Sequence, residues 1–149
     1  MIVTFFGHST ISDDGVSLYE KTFKIMREIV EANPDCTFLC GHKGQFDFLC
    51  ERCIDELKKT FSGVTKAYIT PYYDIAYQNN TLKYISKYFD EIIFPPTCEA
   101  CPPQYAYSRR NQWMSDTADI VIGYEKFDWG GAAASLRYAR KRGKRIIPV

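Results

Sequence analysis

No run of apolar residues in this chain is long enough to cross a bilayer. The start also lacks a basic segment ahead of an apolar one. Met1 leads directly into Ile2-Val3-Thr4-Phe5-Phe6, with no small-residue cleavage pattern behind it. The reading is a cytoplasmic protein, not membrane-bound, whose chain opens on a strand. Neither sign of charge is in surplus: 19 Lys and Arg against 18 Asp and Glu leave a formal +1. No global field therefore draws the chain to nucleic acid or to an anionic membrane. Two nucleotide fingerprints are missing. There is no Gly-x-x-x-x-Gly-Lys-Ser/Thr loop, which excludes a Walker-type site, and no Gly-x-Gly-x-x-Gly after the first strand, which excludes an ordinary NAD-binding site.

Aromatic rings are plentiful, with 11 Tyr and 10 Phe. That is more than one small core holds, so some of them must line a surface or cleft. At 149 residues, with 46% hydrophobic, the chain fits one domain over residues 1–149. Six cysteines include two C-x-x-C pairs, Cys50/Cys53 and Cys98/Cys101. Phe46, Leu49, Cys50, Cys53, Ile54 and Leu57 recur at helical spacing, which reads the first pair as core. The second pair lies in the loop Pro95 to Pro103, where metal or redox use is more plausible. No metal and no cofactor are expected, and disulfides do not suit a cytoplasmic chain.

Strand-like and helix-like segments alternate. Residues 2–6 read as a strand; Asp13 and Asp14 suit a helix start, and Asn33-Pro34 a helix end. Strands follow at about Cys36–Cys40, Thr65–Thr70, Glu91–Phe94, Ile120–Tyr124 and Arg145–Val149. Helices are expected at about Phe46–Phe61, Leu82–Tyr88, Ser108–Thr117 and Ala132–Arg142, with a Tyr-rich loop before Leu82. Short apolar strands alternating with helices imply an α/β, Rossmann-like three-layer fold with a mainly parallel sheet flanked by helices. Ligands of such sheets sit beyond the carboxyl ends of the strands.

Three of those ends carry glycine turns: Gly7-His8-Ser9, Gly41-His42-Lys43-Gly44 with Asp47 beyond it, and Trp129-Gly130-Gly131-Ala132. Glycine lets the backbone approach a ligand, and a helix N-terminus beyond it offers N–H groups to a phosphate. The three are expected at one edge of the sheet.

At these residues the chain resembles the SLOG superfamily, named for its Smf/DprA-like and LOG-like members, and most of all its small YpsA-like proteins. The resemblance rests on Phe6-Gly7-His8, on Gly41-x-x-Gly44-x-x-Asp47, on Tyr107-x-x-Arg110-Asn111-x-x-Met114, and on Gly130-Gly131 followed by Tyr138-Ala139. It covers nearly the whole chain. It implies a Rossmannoid fold, a nucleotide-like ligand and a homo-oligomer, a dimer or larger. LOG members are phosphoribohydrolases with a Pro-Gly-Gly-x-Gly-Thr-x-x-Glu motif and an upstream Arg-Lys-x-x-Met helix. Here Arg110 and Met114 match the upstream motif and Gly130 and Gly131 the leading glycines. Trp129 stands at the Pro position, Ala133 at the Gly, Ala134 at the Thr and Arg137 at the Glu. Without that carboxylate the ordinary LOG reaction lacks its charge-stabilising group; Asp47 and Glu125 are the carboxylates left to replace it.

Individually, Arg110 suits a bidentate phosphate clamp in a cleft, with little bearing on fold stability, and Asn111 suits ligand contact or a local cap. His8 and His42 both follow a glycine at a strand end, which points to a shared cleft or to two ordinary loop residues. Asp47 suits a ribose hydroxyl or a helix cap. Trp129 suits stacking on a base or filling a hydrophobic edge. Tyr72, Tyr73 and Tyr77 suit a wall for a flat base or packing on a partner subunit. The run Arg137…Arg140-Lys141-Arg142-Gly143-Lys144-Arg145 suits a solvated helix face; a nucleic-acid partner is disfavoured, the expected partner being a small nucleotide derivative.

The leading expectation is a protein that binds a phosphorylated nucleotide-type ligand (ADP-ribose-like, cyclic or another derivative) for sensing or sequestration. The alternatives are an enzyme cleaving an N-glycosidic or phosphate bond in such a ligand, and a structural or nucleic-acid partner protein.

Overall fold

The computed structural model describes all of residues 1–149. Six strands form one sheet in the order β4-β3-β2-β1-β5-β6, every neighbouring pair parallel. They are β1 Ile2–Gly7, β2 Thr37–Cys40, β3 Thr65–Ile69, β4 Glu91–Ile93, β5 Ile120–Tyr124 and β6 Arg145–Pro148. The helices are α1 Gly15–Ala32, α2 Gln45–Lys58, the short turns α3 Ile75–Tyr77, α4 Lys83–Ile85 and α5 Pro96–Glu99, then α6 Ala106–Thr117 and α7 Gly131–Lys141. The Rossmann-like α/β expectation holds, and no helix is long and apolar enough to cross a membrane.

Alternation along β1 explains the layers. Val3 and Phe5 enter a core of 19 buried residues under α1 and α2, while Phe6 enters a second of nine under α6 and α7. A strand buried on both faces needs a continuous apolar run, which Ile2 to Phe6 supplies apart from Thr4. Thr4 resolves its polarity locally, its hydroxyl donating to Leu39 O at 3.0 Å. Helix ends follow the sequence signals. The Asp14 side chain accepts from Val16 N, and Asn33 donates from its side chain to Ile29 O before Pro34 stops α1.

The Tyr-rich middle differs from expectation. Helical turns begin at Ile75, capped by Asp74 accepting from Tyr77 N at 3.2 Å, and run to Tyr88. A π-turn at Gln78–Leu82 interrupts them. The wider turn shifts the apolar residues out of the 3.6-residue period, so no helical stripe is legible there. The start of the Pro95–Pro103 loop is likewise a short helix, with Pro96 in its first turn, where a missing N–H costs nothing.

Chain order runs outward from β1 to β4 on one side and from β5 to β6 on the other. The switch in direction therefore falls between β1 and β5, and all strands point their C-termini to one edge. At that edge Gly7 lies against the fully buried Phe46, which stacks on Tyr124 at 5.3 Å and meets Phe5 edge-on. A Cβ at Gly7 would collide with the Phe46 ring and stand 2.7 Å from its Cβ. At Gly131 a Cβ meets nothing within 4 Å. Gly7→Ala is thus expected to cost about 1–3 kcal/mol by overpacking, whereas Gly131→Ala, at a helical position, leaves stability equal or higher. Urea unfolding of both variants checks this; equal midpoints would show that Gly7 is not under steric constraint.

Candidate functional site

A cleft of about 140 Å³ opens at the switch between β1 and β5. Gly7 and Ser9 line it from the end of β1, Gly41, Lys43 and Asp47 from the turn into α2, Arg110, Asn111 and Met114 from α6, and Gly131, Ala132 and Ser135 from α7. The glycine turns expected at one edge do meet there. A polar groove of about 160 Å³ continues between α6 and α7, past Ser108, Gln112 and Tyr138.

Arg110 is the centre of the cleft. It is 3% exposed. Its Nη1 donates to Gly41 O at 3.0 Å and to Ile69 O at 3.5 Å, and its Nε and Nη2 donate to Asn111 Oδ1 at 3.3 Å. Those four bonds leave one of the five guanidinium N–H groups, on Nη2, without a protein acceptor. The guanidinium also lies 5.0 Å from the Tyr107 ring centroid. Gly41 is required by this packing: a Cβ would come within 2.9 Å of Arg110 Nη2 and 3.4 Å of Asp47 Oδ2. The expectation that Arg110 matters little to the fold is corrected by these contacts, since a buried cation joins α6 to the ends of β2 and β3. Asn111 is both a lining residue and the local acceptor for that cation.

Asp47 stands in the first turn of α2 and reaches back, Oδ2 accepting from Lys43 N at 2.9 Å. Since Gly44 has no side chain to cap α2, this bond closes the turn. Burial pushes the Asp47 carboxyl up to about 7, Glu51 adding to the rise while the Lys43 N–H bond, Arg110 and His42 oppose it. Lys43 extends over the Tyr107 ring, Nζ 3.9 Å from its centroid. Gly44 supports the floor from outside, packed on Ser9, whose carbonyl accepts from Gln45 N at 2.9 Å.

At α7, Gly130 is the N-cap and offers no side chain to the first-turn N–H groups of Gly131, Ala132 and Ala133. Two of those residues line the cleft, so a positive dipole end faces it.

The two histidines are not brought together. His8 is buried, its Nε2 accepting from Lys126 N at 2.9 Å and its ring stacked on Phe127 at 3.6 Å. Burial lowers its pKa, which suits a neutral acceptor, while Glu125 opposes the shift. His42, at φ 53°, turns the other way: Nδ1 meets the Glu51 carboxylate at 2.9 Å, among Phe48, Tyr68 and Phe89. Glu51 in turn lies beside the buried Lys66, which pairs with Asp55 at 3.0 Å. Neither histidine lines the cleft. Trp129 does not fill a hydrophobic edge; it is 67% exposed and stacks on Phe127 at 4.2 Å. Tyr72 and Tyr77 pack edge to face, Tyr72 also meets Tyr107, and Tyr73 stacks on Phe94. Through Tyr107 this wall reaches Lys43 and Arg110.

No three His, Cys, Asp or Glu side chains converge to hold a metal. Cys50 and Cys53 belong to the core, and burial pushes the Cys53 thiol up to about 12. Cys98 is buried near Ala106 O. The basic tail is largely occupied. Asp116 accepts from Tyr138 and Arg142, its carbonyl accepts from Lys144, Arg140 pairs with Glu125, and Arg137 donates to Asp128 O.

Sequence comparison finds no matching family model and no matching curated protein. Solved structures share the fold, two of them as follows. DNA processing protein A from Helicobacter pylori, described for its single-stranded DNA binding mode, superposes with a TM-score of 0.63 at 15% identity over 99% of this chain and 64% of its own. DNA processing protein A (DprA) from Streptococcus pneumoniae superposes with a TM-score of 0.60 at 14% identity over 98% of this chain and 49% of its own. This chain therefore spans under two thirds of the first relative and about half of the second.

Asp47 sets a pH dependence whose sign follows from its raised value. Between about pH 4 and 7 the native protein keeps a proton that an unfolded carboxyl, near 3.9, has lost. Stability from this group is therefore greatest below pH 4 and falls as pH rises towards 7, by about 1.4 kcal/mol for each pH unit crossed. Asp47→Asn keeps an oxygen for Lys43 N–H and has no charge to bury. The variant should exceed wild type in stability above pH 7, with the gap closing towards pH 4. Denaturant unfolding across that range tests it, and parallel profiles would refute it.

Proposed function

We propose that this chain binds a phosphorylated nucleotide-type ligand at the C-terminal ends of its strands, for sensing or sequestration. The observation that carries this reading is the cleft's donor set. Arg110, whose buried guanidinium has one N–H to spare, Lys43 and the uncapped first turn of α7 all line one small cavity. Each favours an anion, and the guanidinium does so in a shielded setting where charge-assisted hydrogen bonds are strong. A phosphate satisfies all three. The polar groove between α6 and α7 gives hydroxyl and amide groups for the uncharged remainder of such a ligand.

Cleavage of an N-glycosidic or phosphate bond is a second reading, favoured by Asp47. A carboxyl lifted to about 7 inside the cleft suits proton transfer near neutrality, and such shifts concentrate at functional sites. Incubation with a nucleotide panel, read by thermal shift and by product chromatography, separates binding from turnover. DNA binding draws support from the fold likeness to DNA processing protein A. Against it stands the basic tail, of whose six cations only Lys141 and Arg145 lack a bound carboxylate or carbonyl.

Arg110 is the decisive residue. Arg110→Ala should weaken phosphate-ligand binding by about 2–3 kcal/mol, and Arg110→Lys should recover only part of that, keeping charge without the planar fork. Both variants should also melt earlier, because the carbonyls of Gly41 and Ile69 lose a buried donor. Binding titrations held well below each melting temperature separate the two effects. Equal affinity in all three forms would remove Arg110 from the ligand's contacts.

A further inference from the structure

Trp129 is exposed at 67%, more than any other aromatic residue. Only one of its faces is covered. It stacks on Phe127 with centroids 4.2 Å apart and planes at 24°, and Phe127 stacks on His8 at 3.6 Å and 16°. His8, at the foot, is 5% exposed, held by the Lys126 N–H on Nε2 and by the edge of Tyr124. Three rings thus form a ladder rooted in the protein, with the outer face of the indole open to solvent.

The loop that carries the ladder is braced. Lys126 Nζ pairs with Asp13 at 3.0 Å, and Arg137 donates to Asp128 O at 2.8 Å. A ring already held by its neighbour and by a braced loop loses little freedom when a ligand covers it. Its place is also specific. Trp129 directly precedes Gly130, the N-cap of α7, and Gly131 lines the anion cleft. Two residues of chain span at most about 7 Å, so the backbone at Trp129 stands close to the rim of the cleft.

We infer that the open face of Trp129 is a base-stacking subsite, so that the cleft's ligand carries a flat aromatic base as well as its anion. This rests on the phosphate reading of the cleft and narrows it: a nucleotide fits, whereas a sugar phosphate or a free inorganic anion would leave the ladder unused. Every base has a π-face, so the stack selects for the presence of a base over its identity.

The test uses wild type, Trp129→Ala and Trp129→Phe, titrated with adenosine 5′-monophosphate, ribose 5-phosphate, inorganic phosphate and adenosine. Calorimetry gives affinities. Indole fluorescence gives contact, against a steady background from Trp113, the other tryptophan, which packs on the second core. In wild type the nucleotide should bind about ten- to a hundredfold tighter than ribose 5-phosphate and quench the indole. Trp129→Ala should erase that difference while leaving ribose 5-phosphate unchanged. Trp129→Phe should keep part of the affinity and lose the quenching. Melting temperatures should stay level, since the ring is exposed. Equal binding of nucleotide and ribose 5-phosphate, or no effect of Trp129→Ala, overturns the subsite and leaves the phosphate cleft standing. If no phosphorylated probe binds but adenosine still quenches Trp129, the cleft reading falls and the subsite stands. If nothing binds or quenches, both fall.

Discussion

Everything at the C-terminal edge of the sheet hangs on how the buried guanidinium of Arg110 is accommodated. It is met by carbonyl and amide oxygens from Gly41, Ile69 and Asn111, with a tyrosine ring beside it. Burying a cation is costly unless its donors are satisfied, and here the satisfying groups are the ends of two neighbouring strands. The same bonds therefore fix α6 over the sheet, close one wall of the cleft and require the absence of a side chain at Gly41. The cavity and the fold share one interaction, so a residue that lines the cleft also carries stability.

Asp47 is the counterpart of that arrangement. Its carboxyl closes the turn before α2, yet burial makes its charge costly at neutral pH. With the proton on, the cleft holds Lys43 and Arg110 without a competing anion; with it off, part of their field is cancelled. The protonation state of Asp47 therefore sets how much of that positive field an anion entering the cleft would meet.

Much of this was legible in the residues. The apolar runs marked the strands, because a sheet covered on both faces needs near-continuous hydrophobicity, which only Thr4 in β1 and Lys66 in β3 break with buried polar groups. Glycines at Gly7, Gly41 and Gly130 marked the edge, because parallel strands end together. The histidines were not legible. His8 and Ser9 are neighbours, yet Ser9 lines the cleft and His8 turns towards Phe127. His42 and Lys43 divide in the same way, a positive φ at His42 sending its ring to Glu51. Side-chain direction within an irregular turn depends on distant partners and leaves no period in the sequence. Burial of Arg110 was equally hidden, since its acceptors are backbone oxygens at positions 41 and 69, which no residue type announces.

The tail beyond Ala133 looks strongly basic in sequence, but Asp116 gathers Tyr138, Arg142 and Lys144 around one residue, and Glu125 holds Arg140. Arg140 and Arg142 keep about half of their side-chain surface in solvent, yet each already has a counterion within the chain. A polyanion approaching that face would compete with the Glu125 and Asp116 carboxylates for those two cations. Counterion release, which makes most nucleic-acid association steeply dependent on salt, would draw less on these two arginines than on Lys141 and Arg145, which have no such partner.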